Sequence, residues 1–243
     1  MRMLPLLKTF GRSFLDLIYP PLCLHCSQSL EAGCPIFCYS CLPLLEQIDP
    51  SMRCPFCFSS DFNNEAQKCC DECRERPRTI KRIASVFDYE GPPATLVKHM
   101  KYGGQSYLAK GGGGYLAAQF LALNWPMPDF ILPMPMARLR KFERGYNQSE
   151  LLAQSFAKLM NCPVSTALKR RSGDFSQAGL DHRQRLNLKS DSFFVKDGNH
   201  LHDRILLLVD DVMTTGSSLN CCAEALLPYF PQGIYAMTLC RAI

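Results

Sequence analysis

The chain has 243 residues, 47% of them apolar, and a formal net charge of +5. That composition supports one sizeable core with a small appendage, and no apolar run reaches the ~20 residues a transmembrane helix needs. The charge is mild and its distribution says more: between Arg138 and Arg185 stand ten Lys/Arg and four Asp/Glu, an excess of six that points to a local anionic ligand.

Residues 1–19, "MRMLPLLKTFGRSFLDLIY", make a poor secretory signal, because Lys8 and Arg12 interrupt the apolar stretch and no small-residue cleavage site follows. Leu6, Phe10, Phe14, Leu17 and Ile18 fall near helical spacing. An amphipathic helix over 1–19 is expected, packed on the neighbouring domain or, as the alternative, lying on a membrane surface.

A cysteine-rich region over 20–78 comes next. The chain has fourteen cysteines, and ten lie between Cys23 and Cys73. Eight form C-x-x-C knuckles: Cys23/Cys26, Cys38/Cys41, Cys54/Cys57 and Cys70/Cys73. Each knuckle places two thiolates on one side of a tight turn, and two knuckles complete a tetrahedral zinc shell with Zn–S near ~2.3 Å. Two structural zinc ions are expected, one on Cys23, Cys26, Cys38 and Cys41, the other on Cys54, Cys57, Cys70 and Cys73. Cys34 and Cys69 are surplus, and His25 is a further candidate ligand. A disulfide framework is the weaker reading without a secretory signal. The segment has little apolar material of its own, so its fold should depend on the metal. Cys162, Cys221, Cys222 and Cys240 sit among apolar residues and read as small buried hydrophobes.

From residue 79 to 243 the pattern changes to alternating strands and helices. "RIASVFDY", "DFILPMPM", "RILLLVDD" and "GIYAMTLC" read as strands; "PPATLVKHMKY", "SYLAKGGGGYLAAQFLALN", "NQSELLAQSFAKLM" and "SSLNCCAEALLPYF" read as helices. That order indicates an α/β domain with a mainly parallel sheet flanked by helices. The four glycines at 111–114 either precede the helix start or mark a close approach to its backbone.

In such a sheet, ligands bind beyond the carboxyl ends of the strands. "ILLLV" ends there in Asp210 and Asp211, followed by Thr214, Thr215, Gly216, Ser217 and Ser218 at the start of a helix. Hydroxyls and backbone N–H groups at a helix N-terminus cradle a phosphate, and Gly216 permits the tight curvature. Two carboxylates accept hydrogen bonds from vicinal hydroxyls and attract magnesium. Together they imply a 5-phosphorylated ribose with free 2- and 3-hydroxyls. One Asp serves as a helix cap; a pair followed by "TTGSS" is poorly explained by capping.

"LLLVDDVMTTGSSL" resembles the phosphoribosyl-diphosphate (PRPP) loop of type I phosphoribosyltransferases. "YPPLCLHC" with the later knuckles, "LPMPMARLRKFERGYNQSELLA", "LKRRSGDFSQAGLDHRQRLN" and "MTLCRAI" resemble the ComF family, associated with natural competence. The resemblance covers nearly the whole chain. It implies a type I phosphoribosyltransferase fold behind a small double zinc ribbon, with magnesium and PRPP as ligands. Asp210, Asp211 and Arg144 become the catalytic candidates. Pro135, Met136, Ala137 and Arg138 become the diphosphate loop, and Asp210, Asp211 and Thr214–Ser218 the ribose and 5-phosphate site. Gln177 and Arg185 are further candidates in the polar, basic segment 168–188. The implied chemistry is displacement of diphosphate at the anomeric carbon through an oxocarbenium-like transition state.

The acceptor is not named by any motif. One reading is a PRPP-binding accessory protein of DNA uptake and transformation; the alternative is an active phosphoribosyltransferase with no direct DNA role. A third is a zinc-ribbon nucleic-acid binder with a vestigial pocket, against which the intact acid pair and phosphate loop argue. The resemblance implies single-stranded DNA and other competence or recombination proteins as partners. Lys169, Arg170 and Arg171 are the DNA-binding candidates. The expected location is the cytoplasm, with a peripheral position on the inner membrane open to the N-terminal helix.

Overall fold

The computed structural model describes residues 20–31, 33–62, 68–75, 78–171 and 192–242. The expected helix over 1–19 and the candidates Gln177 and Arg185 lie outside them. In chain order the elements are α1 (Asp71–Glu75), β1 (Arg82–Asp88), α2 (Gly91–Tyr102), α3 (Leu108–Ala122), β2 (Phe130–Pro133), α4 (Arg138–Arg144), α5 (Gln148–Met160), β3 (Leu168–Arg170), β4 (Phe193–Val195), β5 (Ile205–Met213), α6 (Ser217–Leu226) and β6 (Gly233–Arg241).

Four strands form one sheet in the order β1-β6-β5-β2, each parallel to its neighbour. β3 and β4 make a separate antiparallel pair. The α/β expectation, a parallel sheet flanked by helices behind a four-cysteine region, is what the structure shows.

Period-two alternation sends successive residues of a strand to opposite faces. In β5, Leu207 and Val209 join the core beneath α2, α3 and α5, where Val97, Leu116, Leu152 and Phe156 are fully buried. Leu206 and Leu208 join the opposite core with Leu219, Cys222 and Leu226 of α6. A strand buried on both faces has no polar side, which is why "ILLLV" reads as an unbroken apolar run.

α3 starts ahead of the four glycines and runs through them. The reason is close packing on α5. A Cβ at Gly112 would lie 2.6 Å from Leu152 Cδ2, and one at Gly113 would lie 2.5 Å from Ser155 Cβ. Gly111 and Gly114 face open space. Of the two expectations for this stretch, the close approach is the one realised. The helix expected over 217–230 is shorter. α6 stops at Leu226 and tightens into a 3-10 turn at Leu227–Tyr229, where Pro228 supplies no N–H.

The cysteine-rich region docks on the free edge of β1. Ile48 N donates to Val86 O at 2.8 Å, and Ile83 N donates to Phe56 O at 2.7 Å. Buried Gln119 Nε2 donates to Ile48 O at 2.8 Å. These bonds satisfy edge groups that would otherwise template association. Cys23, Phe37, Cys38 and Cys41 belong to the main core of the sheet, so the first ribbon shares the α/β domain's apolar interior. None of the described helices is long and apolar enough to cross a membrane.

Candidate functional site

β5 carries Asp210 and Asp211 at the carboxyl end of the sheet, on its last turn before the loop. Asp211 is buried and accepts an ion pair from Lys101 Nζ at 2.9 Å, from the last turn of α2. Asp210 Oδ1 accepts from Ser149 Oγ at 2.7 Å and from the Asp211 N–H at 2.8 Å. Burial first, then the adjacent Asp211 charge, pushes the Asp210 carboxyl up to about 7, against the hydrogen bonds that favour its ionised form. Among the described residues, Lys101 is the one cation in ion-pair contact with the two carboxylates.

A cleft of about 250 Å³ opens above them. Pro135, Met136, Arg140, Arg144, Arg170 and Ser218 line it together with the acid pair. The expected diphosphate segment is thus partly brought to the acids. Pro135 and Met136 line the cleft. Ala137 instead caps α4, and exposed Arg138 is replaced at the lining by Arg140, two residues further. Arg144 donates to Gln148 Oε1 at 3.3 Å, and its guanidinium lies 4.9 Å from the exposed Tyr102 ring. It is not paired with Glu150, which takes Lys141 at 3.1 Å.

The segment "GYNQS" builds the wall behind these groups. Gly145 turns left-handed at φ 78° to end α4. Asn147 caps α5 by accepting from Ser149 N at 3.2 Å, and donates to Met134 O at 2.9 Å. Gln148 and Tyr146 both donate to Met100 O, at 3.1 and 2.8 Å. This stitching aims Ser149 at Asp210 and sets the end of α2, hence Lys101, beside Asp211. Lys101, Tyr102, Arg140 and Ser149 were not singled out from the sequence. Lys101 had a weak signal as a cation in "KYGG" at a helix end; Ser149 had none beyond adjacency to Asn147.

Thr214–Ser218 leads from β5 into α6. Gly216 sits at φ 72°, a left-handed position natural to glycine, and is the residue from which α6 starts. Thr215 Oγ1 and Ser217 Oγ are 2.8 Å apart, and Ser217 N points to Thr215 Oγ1 at 3.4 Å. The loop divides two hollows: Ser218 faces the acid pair, while Thr214–Ser217 line a second cleft shared with the cysteine region.

The basic triplet at the end of β3 also divides. Arg170 lines the acid-pair cleft, its guanidinium 5.5 Å from the Phe193 centroid. Lys169 and Arg171 are exposed outside that lining, Arg171 over Phe194 at 5.4 Å.

The eight knuckle cysteines converge in two groups, Cys23/Cys26/Cys38/Cys41 and Cys54/Cys57/Cys70/Cys73, with the sulfurs of each group within 4.8 Å of one another. The two groups repeat one local structure. Ser27 and Phe58, each following its knuckle, take φ 61° and 63°. Ser27 N donates to Cys23 O and Phe58 N to Cys54 O, at 3.0 and 2.9 Å. Cys38 N points to Cys23 Sγ and Cys70 N to Cys54 Sγ, both at 3.4 Å. Sulfur–sulfur distances of 3.7 Å (Cys26–Cys38) and 3.5 Å (Cys57–Cys70) match the ~3.8 Å edge of a tetrahedron with Zn–S near 2.3 Å. Burial pushes the Cys23 thiol up, but the backbone N–H groups of Cys26, Cys38 and His25 outweigh it and bring it down to about 6. Cys54 reaches about 7 in the same way. The donor sets are consistent with two zinc sites. Neither group includes His25, whose Nδ1 meets Thr95 Oγ1 at 2.9 Å.

No family model matches the chain. Over 226 residues it is 29% identical to competence protein F of Haemophilus influenzae, covering 90% of this chain and 96% of that protein. Over 180 residues it is 32% identical to DNA utilization protein YhgH of Salmonella typhi, covering 72% and 78%. The solved alanine mutant from an analysis of an invariant aspartic acid in HPRTs aligns at TM-score 0.34 and 13% identity, over 56% of this chain and 66% of that one, too little shared geometry to argue from.

Proposed function

Because the chain belongs to the family of competence protein F and DNA utilization protein YhgH, we propose that it is a competence-related, PRPP-binding protein of DNA handling. The observation that carries the reading is the meeting of Asp210 and Asp211 with Arg140, Arg144, Arg170 and Ser218 in one cleft, next to the Thr214–Ser217 loop. Each group of a phosphoribosyl diphosphate has a counterpart in the cleft or in the loop beside it. The acids accept from the ribose 2- and 3-hydroxyls. The loop hydroxyls and the N-terminus of α6 receive the 5-phosphate. The arginines face the diphosphate, where bidentate contacts favour Arg over Lys. Magnesium, when bound with the ligand, offsets the negative charge that Lys101 alone leaves on the acid pair; Asp210 and Asp211 would hold it directly or through water.

The test is thermal unfolding with and without magnesium and PRPP. A ligand bound only by the folded state stabilises it by about 2.7 kcal/mol at one hundred times its Kd. D210N/D211N should remain folded and lose the shift; an equal shift in that variant refutes the ribose assignment.

Transfer to an acceptor is the second reading. Tyr102, 76% exposed beside Arg144, offers a flat face next to the ribose end of the cleft, suited to a planar acceptor. There the bond from the anomeric carbon to diphosphate would break as an acceptor nitrogen attacks the opposite face, and the arginines would stabilise the departing charge. Diphosphate release assayed across candidate bases separates an enzyme from a binding protein. Single-stranded DNA is the polymer partner under the first reading, met by the exposed cations Lys169 and Arg171 outside the cleft.

A further inference from the structure

The two cysteine groups differ in what they touch. Cys23, Cys38 and Cys41 are buried in the main core of the sheet. Cys54, Cys70 and Cys73 instead form a small cluster of their own with Phe56 and Phe62, and Phe58 alone of that ribbon reaches the main core among the described residues. The first group therefore has the sheet interior to hold it in place. The second leans on the carboxyl edge of the sheet.

Besides the Arg53–Asp88 ion pair at the end of β1 and the Ile83–Phe56 backbone bond, one side chain carries that contact to the corner where β5 and β6 end. Cys57 O accepts from Arg241 Nη1 at 2.5 Å. Arg241 ends β6 and lies in register with Met213, which ends β5. Ala242 N donates to Met213 O at 2.8 Å, closing the same corner. The next residue is Thr214. A cleft of about 480 Å³ lies in the angle, lined by Cys57 and Cys73 of the knuckles, by Thr214–Ser217 and by Arg241. Glu72 and Glu224 line it too, so it is not a uniformly cationic anion site.

The phosphate loop needs such a support. Thr214, Thr215, Ser217 and Ser218 are exposed, and among the described residues the loop's side-chain bonds run between Thr215 and Ser217. Donors that converge on a phosphate are effective only when held in place before it arrives. With its four sulfurs held together, the second cluster fixes the Cys57 peptide, and Arg241 carries that constraint to the strand end from which the loop springs.

We propose that Arg241 is a positioning residue that couples the second cysteine cluster to the Thr214–Ser218 loop, so that metal at Cys54/Cys57/Cys70/Cys73 and phosphoribose at the loop favour each other's binding. The inference rests on the phosphoribose reading above. Coupling between two binding equilibria is reciprocal, typically five- to 150-fold. Metal at the second cluster, but not the first, therefore tightens the ligand, and the ligand tightens metal at that cluster alone.

The test uses the full zinc-loaded chain and a chromogenic chelator in competition. With saturating magnesium and PRPP, one of the two zinc equivalents is expected to bind at least about fivefold more tightly, and the other unchanged. D210N/D211N in the same solution controls for zinc taken up by PRPP itself. R241M should abolish the difference and weaken PRPP about tenfold while keeping two zinc ions per chain; R241K should restore part of both. Equal effects on both equivalents, or none, while PRPP still stabilises the wild type, overturn the coupling and leave the phosphoribose reading standing. Absence of any PRPP effect on the wild type overturns both. Should R241M not fold, the wild-type competition curves decide the matter alone.

Discussion

Asp210 is where protonation and the proposed ligand binding would meet. Its carboxyl titrates near 7 because it is buried beside Asp211, with Lys101 and Ser149 as its counterweights. A raised folded-state value means that the folded chain keeps a proton which the unfolded chain releases near the ordinary 3.8. The group's contribution to stability is therefore full below about 4 and is lost as pH rises towards 7. D210N should gain melting temperature relative to wild type across that window. For the same reason, affinity for magnesium and PRPP should climb from pH 6 to 7, by up to about tenfold per unit, and level off above. Calorimetric titration across that range checks it; a flat profile argues against Asp210 as a ligand group. On β3, Arg170 and its neighbours should separate. R170A should weaken PRPP. K169A/R171A should leave the PRPP shift intact and flatten the salt dependence of single-stranded DNA binding, by up to about 0.7 in slope for each lost phosphate contact.

The glycine run in α3 shows how one helix can carry opposite constraints on adjacent residues. Gly113 faces Ser155 and Phe156 of α5 at distances no Cβ tolerates, whereas Gly114 faces open space. G113A should cost about 1–3 kcal/mol through forced separation of the helices. G114A should gain about 0.5–1 kcal/mol, the ordinary cost of glycine in a helix. Thermal unfolding of the two variants makes the comparison, and similar destabilisation by both would mean the packing face is misassigned. α4 is the opposite kind of element. It buries none of its seven residues, and Leu139 and Phe142 are exposed. A short helix without an apolar face gives no periodic signal, so no helix is expected over "RLRKFER", where the structure sets Arg140 and Arg144 one turn apart on the cleft side.

At the scale of the molecule, the cysteine region docks on the α/β sheet, with its first cluster in the main core and its second in a small cluster of its own. It bonds to the edge of β1 and contributes Cys23, Phe37, Cys38 and Cys41 to the main core. Two zinc ions per chain are expected by elemental analysis. Chelation should lower the melting temperature of the whole chain and remove hydrogen-exchange protection from β1 as well as from the ribbons. A zinc-free chain with unchanged melting temperature and knuckle disulfides by mass spectrometry would falsify this.

The sequence by itself determined the features written within a few residues of one another. The four knuckles, the acid pair and "TTGSS", the double-faced strand and the parallel α/β order all follow from local spacing and apolar pattern. Even the pairing of cysteines into two groups was legible, because each knuckle pairs with the next one along the chain. What joins distant segments was decided only by tertiary packing. Lys101 reaches Asp211 and Ser149 reaches Asp210 because a tyrosine, an asparagine and a glutamine bond to the backbone at Met100 and Met134. The helix that passes through four glycines, the substitution of Arg140 for Arg138 at the cleft and the Arg241 bridge to Cys57 likewise depend on which surfaces meet. Such contacts lie across dozens of residues and have no local period to betray them, so the candidate groups are visible in one dimension and their alignment only in three.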